Sequence, residues 1–202
     1  NGVRAAGLMR RALTEALYIA KHRKAFGKRL LDMPLMQRQL SKMALATEQA
    51  RTMVYQTAQA LAAADHDPSK RPLMRIMTPL IKFRACRDAR KVAGDAMEVR
   101  GGCGYIEEWS DPRVLRDAHL GSIWEGTSNI VALDVIRAIQ REESLPALRE
   151  HVHALLAEGN PVSQDLAALQ DERIDQAFKY ASAVANENHS EQARQAATGL
   201  YH

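Results

Sequence analysis

The sequence predicts an all-α protein, an up-down-up-down four-helix bundle followed by a helical C-terminal extension. Aromatic residues make up only 5% of the 202 residues, whereas residues that favour helices dominate. Three segments of roughly 20 to 28 residues repeat apolar side chains at three- and four-residue steps. Because the connections between these segments are short, consecutive helices are expected to run antiparallel.

The first two helices are predicted from their apolar stripes. The first spans about residues 3–21, with a stripe of Ala6, Met9, Leu13, Leu17 and Ala20. Pro34 suits the first turn of the second helix, which ends at the turn residues "DHDPSKRP". Its stripe comprises Met36, Leu40, Met43, Thr47, Ala50, Val54, Ala58 and Leu61.

The third and fourth helices are separated by a glycine-rich stretch, "RGGCGY", and an irregular segment after it. Pro79 either kinks the third helix, predicted over residues 73–99, or marks its start. Its inward face comprises Met77, Ile81, Ala85, Ala89, Val92, Ala96 and Val99. The fourth helix is predicted over residues 128–140, with Ile130, Leu133, Ile136 and either Ala138 or Ile139 inward.

The chain is predicted to divide into a bundle domain over residues 1–140 and an extension over residues 141–202. The extension contains one or two weaker helical segments, "LPALREHVHALL" and "DERIDQAFKYASAVANE", with a loop at "EGNPVS". The first residues, "NGVRAAG", lack an initiator methionine, so we expect the chain to be part of a longer protein.

Composition narrows the functional classes. Apolar residues make up 46% and charged residues 26%, which is typical of a globular protein, and no apolar run approaches the roughly 20 residues of a membrane span. Cys86 and Cys103 have neither metal-site nor disulfide-framework spacing, so we expect no metal and a cytoplasmic location. The net charge of +4 suits an anionic ligand such as a phosphorylated cofactor, whereas nucleic acid is not favoured.

Two loops carry residues suited to binding phosphate. "HRKAFGKRLLDMPLMQ" contains Arg23, Phe26 and Gly27; arginine has a planar fork that matches phosphate oxygens, although a solvated surface charge is the usual interpretation of such a basic turn. "EVRGGCGYIEE" contains Gly101, Gly102 and Gly104, which would let backbone amides approach a phosphate or a flat ring. A helix end followed by a tight turn is the alternative interpretation of these glycines.

A third loop, "GSIWEGTSNI", places a single acid just before the fourth helix. Thr127 or Ser128 can cap that helix. Glu125 is then either a partner of the positive helix end or a catalytic base. Its apolar neighbours Ile123 and Trp124 would favour the protonated carboxyl, whereas the helix end would favour the carboxylate. The residues alone leave both roles open.

Taken in order and with their spacing, "RKAFGKRL", "GGCGYIEE" and "RDAHLGSIWEGTSNI" resemble the C-terminal domain of the acyl-CoA dehydrogenase family over about residues 3–140. The resemblance implies a helical domain that completes an FAD and acyl-CoA site with separate N-terminal and middle domains. It also implies a homodimer or homotetramer, in which the arginine turn reaches the FAD of a neighbouring subunit, and an electron-transfer protein as acceptor.

The resemblance assigns roles residue by residue. It implies that Glu125 is the base for α,β-dehydrogenation of an acyl-CoA thioester and that Gly126 contacts the substrate through its backbone. The residues that it places against FAD are Arg23, Phe26, Gly101, Gly102, Gly104, Trp124 and Thr127. The isolated domain would then be inactive and bind FAD weakly, because the domain that covers the flavin ring is missing.

Three features depart from the usual pattern of the family. "MPL" replaces a flavin-contacting glutamine, Glu98 replaces another glutamine and would need a cation such as Arg100, and the tail is longer. These features resemble a divergent branch that includes the bacterial adaptive-response protein to alkylation damage. Two alternatives follow: a DNA-associated flavoprotein with little turnover, and a purely structural bundle that mediates oligomerisation. Arg116 and Asp117 are expected to form local ion pairs that fix the third loop.

Overall fold

The computed structural model describes residues 1–159, 163–187 and 189–202, and it confirms the all-α class. The helices in these ranges are α1 (Gly2–His22), α2 (Pro34–His66), α3 (Arg71–Arg100), α4 (Gly102–Tyr105), α5 (Asp111–Gly121), α6 (Ser128–Glu142), α7 (Ser144–Glu158), α8 (Gln164–Asn186) and α9 (Ala193–Tyr201). Two-residue strands, β1 (Lys24–Ala25) and β2 (Lys28–Arg29), pair antiparallel. Short 3₁₀ turns cover Leu30–Asp32, Pro68–Lys70 and Ser190–Gln192.

The described chain forms two compact units. The first comprises residues 1–55 and 84–125, and the second comprises residues 56–83 and 126–202. Helices α2 and α3 therefore contribute one part of their length to each unit. The predicted boundary between residues 140 and 141 stays a prediction.

In the first unit, α1 packs on α5 and on the turn at Leu30–Asp32. Its buried face is lined mainly by alanines, Ala5, Ala12, Ala16 and Ala20, together with Met9. The predicted stripe was wrong at Leu17, which is 41% exposed. Alanine suits these buried positions because its small side chain lets the helix approach its neighbours closely, and protein interiors are densely packed.

Helix α3 confirms its prediction fully, since all seven residues assigned to its inward face are buried. Pro79 lies inside this helix, so the alternative that Pro79 starts it is wrong. In α2, the predicted stripe holds from Leu40 to Ala50, but Ala58 and Leu61 are exposed and Ala60 is buried instead. The buried face changes where α2 passes from the first unit to the second, because different neighbours surround it there.

The glycine-rich stretch contains the four-residue helix α4, and the segment predicted to be irregular after it contains helix α5. Pro112 occupies the first turn of α5, where its missing N–H costs nothing. The buried residues of α5 are Asp111, Pro112, Ala118 and Gly121. Helix α5 positions the third loop, because that loop begins directly after it.

In the second unit, α6 packs on α7, α8 and α9, and α9 packs on α8. Ile130 was wrongly placed in the core, since it is 51% exposed; the buried residues of α6 are Val131, Ala132, Val135, Ile136 and Ala138. The two tail helices are confirmed as α7 and α8, whereas α9 was not predicted. Of the predicted loop "EGNPVS", residues 160–162 lie outside the described part of the chain.

Candidate active-site and cofactor residues

The arginine turn is a strained β-hairpin. Phe26 (φ 51°) and Gly27 (φ 76°) form its two central residues, and a type I′ turn requires positive φ at both positions. Phenylalanine rarely adopts this conformation, which favours glycine and asparagine. The ring of Phe26 is nevertheless 99% exposed, so the hairpin presents a bulky apolar side chain to its surroundings.

The structure brings the arginine turn and the glycine loop together. Arg23 follows α1 directly, and its Nη1 atom donates a hydrogen bond to the carbonyl oxygen of Arg100. Gly101 has φ +71°, and a Cβ atom built on it would lie 2.8 Å from Arg23 Nη1. Glycine is therefore required twice at position 101, for the backbone conformation and for the approach of the guanidinium.

The three glycines of the loop have different surroundings. A Cβ on Gly104 would lie 2.3 Å from the carbonyl oxygen of Met97, so this buried glycine permits close backbone packing. Around Gly102, which is exposed, a Cβ would meet no atom within 4 Å. Gly102 therefore offers the open backbone that a flat or anionic ligand needs, whereas Gly101 and Gly104 have structural reasons to be glycine.

The expected pairing of Glu98 with Arg100 was wrong. The Nε2 atom of Gln39 donates to Glu98 Oε2 over 3.3 Å, whereas the guanidinium of Arg100 forms ion pairs with Glu15 and Asp111. Glu98 thus keeps an exposed carboxylate next to the loop. Arg100 was expected as the partner because it is close to Glu98 in sequence, but two helical residues that are two positions apart do not share a face.

The third loop is a series of tight turns after α5. Ile123 and Trp124 are 59% and 54% exposed, and Glu125, with φ 54°, is also exposed. The expectation that the two apolar neighbours shield the carboxyl was therefore wrong for the described chain. Glu125 Oε2 accepts a hydrogen bond from Asn1 Nδ2 at 2.6 Å, and the guanidinium of Arg4 lies 5.5 Å from the centre of the Trp124 ring.

The residues after Glu125 belong to the second unit. Gly126 has φ +97°, and a Cβ there would lie 3.1 Å from Ile130. Thr127 is the N-cap residue of α6 and is exposed; its carbonyl accepts from Val131 N, but its hydroxyl makes no capping hydrogen bond. Of the two predicted cap residues, Thr127 thus occupies the N-cap position without the expected side-chain hydrogen bond. Its hydroxyl group lies at a helix start, which favours anions.

Sequence reasoning missed Lys82. Its Nζ donates to the carbonyl oxygen of Gly126 at 3.1 Å and so fixes the peptide bond between Gly126 and Thr127. Lys82 lies on α3, 44 positions earlier in the chain, and no motif singled it out for this role. The predicted ion pairing of Arg116 was right, since its guanidinium binds both carboxylate oxygens of Glu107 at 2.7 and 3.1 Å. Glu107 precedes α5, however, so this pair does not reach the third loop, and the expected pairing of Asp117 stays a prediction.

Two kinds of feature are absent from the described part of the chain. Within residues 1–159, 163–187 and 189–202, no group of three or more His, Cys, Asp or Glu side chains could hold a metal ion. No helix formed by these residues is long and apolar enough to cross a membrane.

Comparison with known proteins identifies the family. The domain described as "Acyl-CoA dehydrogenase, C-terminal domain" matches residues 1–140. The chain is 39% identical over 135 residues to the putative acyl-CoA dehydrogenase AidB of Escherichia coli, covering 67% of this chain and 25% of AidB. It is 32% identical over 169 residues to acyl-CoA dehydrogenase family member 11 of Caenorhabditis elegans, covering 82% of this chain and 27% of that protein.

Solved structures agree with this assignment. The crystal structure of Caenorhabditis elegans ACDH-11 in complex with C11-CoA matches with a TM-score of 0.88 and 28% identity, over 100% of this chain and 36% of the other. Acyl-CoA dehydrogenase complexed with FAD from Bacillus anthracis shares the fold, with a TM-score of 0.77 and 22% identity, over 99% and 39% of the two chains. The chain thus spans between a quarter and two fifths of these relatives. It belongs to the acyl-CoA dehydrogenase family and contains that family's C-terminal domain.

Proposed function

We propose that this chain supplies the catalytic base and part of the FAD site of an acyl-CoA dehydrogenase. The observation that carries the proposal is Glu125: an exposed carboxylate held in a left-handed turn, within the "EGT" segment that links α5 to α6. A carboxylate in that position is accessible to a substrate bound by the rest of the protein. Family members with a solved acyl-CoA complex or FAD complex support the two ligands.

The described residues are suited to FAD at two places, the arginine turn with the glycine loop, and the third loop. Arg23 presents a guanidinium beside the positive-φ turn at Gly101, and guanidinium groups bind phosphate oxygens in a bidentate manner. Gly102 leaves backbone open beside it. Thr127 adds a hydroxyl group that is not used for capping α6. Trp124 and Phe26 provide exposed aromatic rings for stacking.

The reaction is a two-electron oxidation of the acyl chain. Glu125 takes the proton from the carbon next to the thioester carbonyl, that C–H bond breaks, and its electrons form the carbon–carbon double bond. Bound FAD supplies the acceptor for the hydride that leaves the next carbon. The Gly126 backbone polarises the thioester oxygen, and Lys82 restricts the movement of the adjoining peptide.

The remaining pocket is expected to come from other parts of the protein. Since Glu125, Ile123 and Trp124 are all exposed in this chain, the dry environment that favours proton abstraction requires a covering surface. We assign that surface to further domains and to a neighbouring subunit of a homodimer or homotetramer. The exposed hairpin with Arg23 and Phe26 is the part expected to reach the neighbour's FAD.

The test is anaerobic bleaching of the flavin absorbance in the full-length protein across a panel of acyl-CoA thioesters. Wild type is expected to bleach with at least one thioester, whereas Glu125→Gln keeps its FAD and fails to bleach. Glu143→Gln is the matched control, because Glu143 is the other exposed glutamate with positive φ among the described residues (φ 49°). Unchanged bleaching in Glu125→Gln would reject the base.

The same protein separates the alternatives. A flavoprotein associated with DNA would retain FAD without bleaching and would bind duplex DNA with a steep dependence on salt. A purely structural bundle would tolerate replacement of both Arg23 and Glu125 with no effect on flavin content.

A further inference from the structure

We propose that Glu15, Arg100 and Asp111 form a positioning network that holds Arg23 and the glycine loop in the geometry required for FAD. The inference rests on the proposed function, because it concerns how the same cofactor residues are kept in place. It assigns roles to Glu15 and Asp111, which lie outside every motif, and to the side chain of Arg100, which was expected to pair with Glu98 instead.

Arg100 is the centre of this network. It is the last residue of α3, and its side chain is only 11% exposed. Its Nε lies 2.6 Å from Asp111 Oδ2, and its Nη2 lies 3.2 Å from Glu15 Oε2. Its guanidinium also lies 4.8 Å from the centre of the Trp109 ring. The side chain is thus bound from α1, from the start of α5 and from the segment between α4 and α5.

The backbone of the same residue touches the candidate cofactor site. The carbonyl oxygen of Arg100 accepts the hydrogen bond from Arg23, and the next residue is Gly101, whose absent Cβ leaves room for that guanidinium. Any rotation of Arg100 therefore moves both the acceptor of Arg23 and the start of the glycine loop. Fixing the Arg100 side chain fixes the position of Arg23.

Glu15 is itself held in one orientation. Its carboxylate accepts from Ser110 Oγ at 3.1 Å and pairs with Arg11 one turn earlier in α1. Burial raises the pKa of Glu15, but hydrogen bonds from Arg11 and Ser110 and the charges of Arg11 and Arg100 outweigh it, so the pKa lies below its usual value. Glu15 therefore carries a negative charge at neutral pH, as an ion pair with Arg100 requires.

A cluster that only joined helices would affect stability but not FAD binding. The second unit contains a cluster of this kind, in which Arg75 bridges Asp134 at 2.8 Å and Glu142 at 2.8 Å. That cluster also consists of one arginine between two carboxylates, but no candidate cofactor residue accepts or donates a bond to it in the described contacts. It is the matched control.

The experiment measures FAD affinity and thermal stability of the full-length protein in four forms: wild type, Glu15→Gln, Asp134→Asn and Arg23→Met. We expect Glu15→Gln to weaken FAD binding about fivefold, within the roughly two- to thirtyfold range for residues that act through others. Asp134→Asn is expected to change FAD affinity by less than about twofold. Its loss of thermal stability should be similar to that of Glu15→Gln, because each change removes one carboxylate that pairs with an arginine. Ser110→Ala, which removes only the hydroxyl contact to Glu15, is the milder variant should Glu15→Gln fail to fold.

The double variant Glu15→Gln/Arg23→Met tests whether the network affects FAD binding through Arg23. If the network acts through Arg23, replacing Glu15 has no further effect on FAD affinity once Arg23 is absent. Additive losses, or equal FAD affinities of Glu15→Gln and Asp134→Asn, would overturn the positioning role. Wild type that binds no FAD would instead overturn the proposed function itself, so the two failures are distinguishable.

Discussion

Replacing each glycine of the loop by alanine should give a graded series, because one added methyl group meets three different surroundings. At Gly101 the backbone has φ +71° and ψ −148°, a region almost confined to glycine, which costs alanine about 2 kcal/mol. The new Cβ would also lie 2.8 Å from Arg23 Nη1. Displacing that guanidinium loses its hydrogen bond to Arg100, at about 1 kcal/mol more. The expected total is about 3 kcal/mol.

Gly104→Ala should destabilise the chain at least as much, by about 3 kcal/mol or more, because its Cβ would overlap a backbone carbonyl that cannot rotate away. Gly102→Ala is the matched control, since it meets nothing within 4 Å; its effect should stay within about 0.5 kcal/mol. Thermal unfolding of the 202-residue chain measures the series, and 3 kcal/mol corresponds to a fall in Tm of roughly 6 to 12 °C at this length.

The role of Arg23 can be separated within the same series. In an Arg23→Ala background the overlap at position 101 disappears, so Gly101→Ala should become less costly by about 1 kcal/mol, whereas the cost of Gly104→Ala should not change. Equal Tm values for the Gly101→Ala and Gly102→Ala variants would refute the reasoning, because they would show that neither the positive φ nor the guanidinium constrains the loop.

Two further predictions concern the hairpin and the tail. Phe26→Asn should stabilise the 202-residue chain by about 1 kcal/mol, because asparagine tolerates the left-handed turn and the ring is 99% exposed. The same change should weaken FAD binding by the full-length protein. Phe26→Leu is the control for stability, because leucine at positive φ is strained as phenylalanine is. A destabilised Phe26→Asn chain would show that Phe26 is not strained. Burial lowers the pKa of His151, with the charge of Glu158 opposing it, so its contribution to stability is complete above a pH of about 6.5 and is lost as pH falls through the folded pKa. Urea unfolding between about pH 8 and pH 5 should therefore show a smaller loss of stability for His151→Gln than for wild type, and parallel pH profiles would contradict the assignment.

The sequence predicted best where burial follows periodicity alone. In α3 every residue assigned to the inward face is buried, because neighbours cover most of this helix: only Arg71, Thr78, Lys91 and Glu98 are exposed. In α1 apolar periodicity predicted Leu17 as buried, since leucine is more apolar than alanine, but Ala16 is the buried residue. Close approach of α1 to its neighbours favours the smaller side chain, and such contacts depend on residues far away in sequence.

The candidate site was predicted in its motifs but not in its supports. "EGT", the glycine loop and the arginine turn were recognised from short patterns, and Arg23 and Gly101 do lie together. The ion pairs of Arg100 and the bond from Lys82 to Gly126 join residues 11 to 85 positions apart, for which a single sequence contains no signal. Helix α5 was missed because it is only 11 residues long and follows the glycine-rich stretch closely, although Pro112 marked its start.

Backbone strain alone does not identify functional residues here. Phe26, Glu125 and Glu143 are the three non-glycine residues with positive φ in the described chain. Glu143 ends α6, where a left-handed residue commonly closes a helix, so its conformation has a local explanation. A hairpin explains the φ of Phe26 but not the choice of phenylalanine, because asparagine would serve the turn better and its ring gains no burial in this chain. The feature that argues for function is therefore the combination of strain with an exposed side chain that the local fold does not need. That combination predicts a contact made outside this chain, at the ring of Phe26.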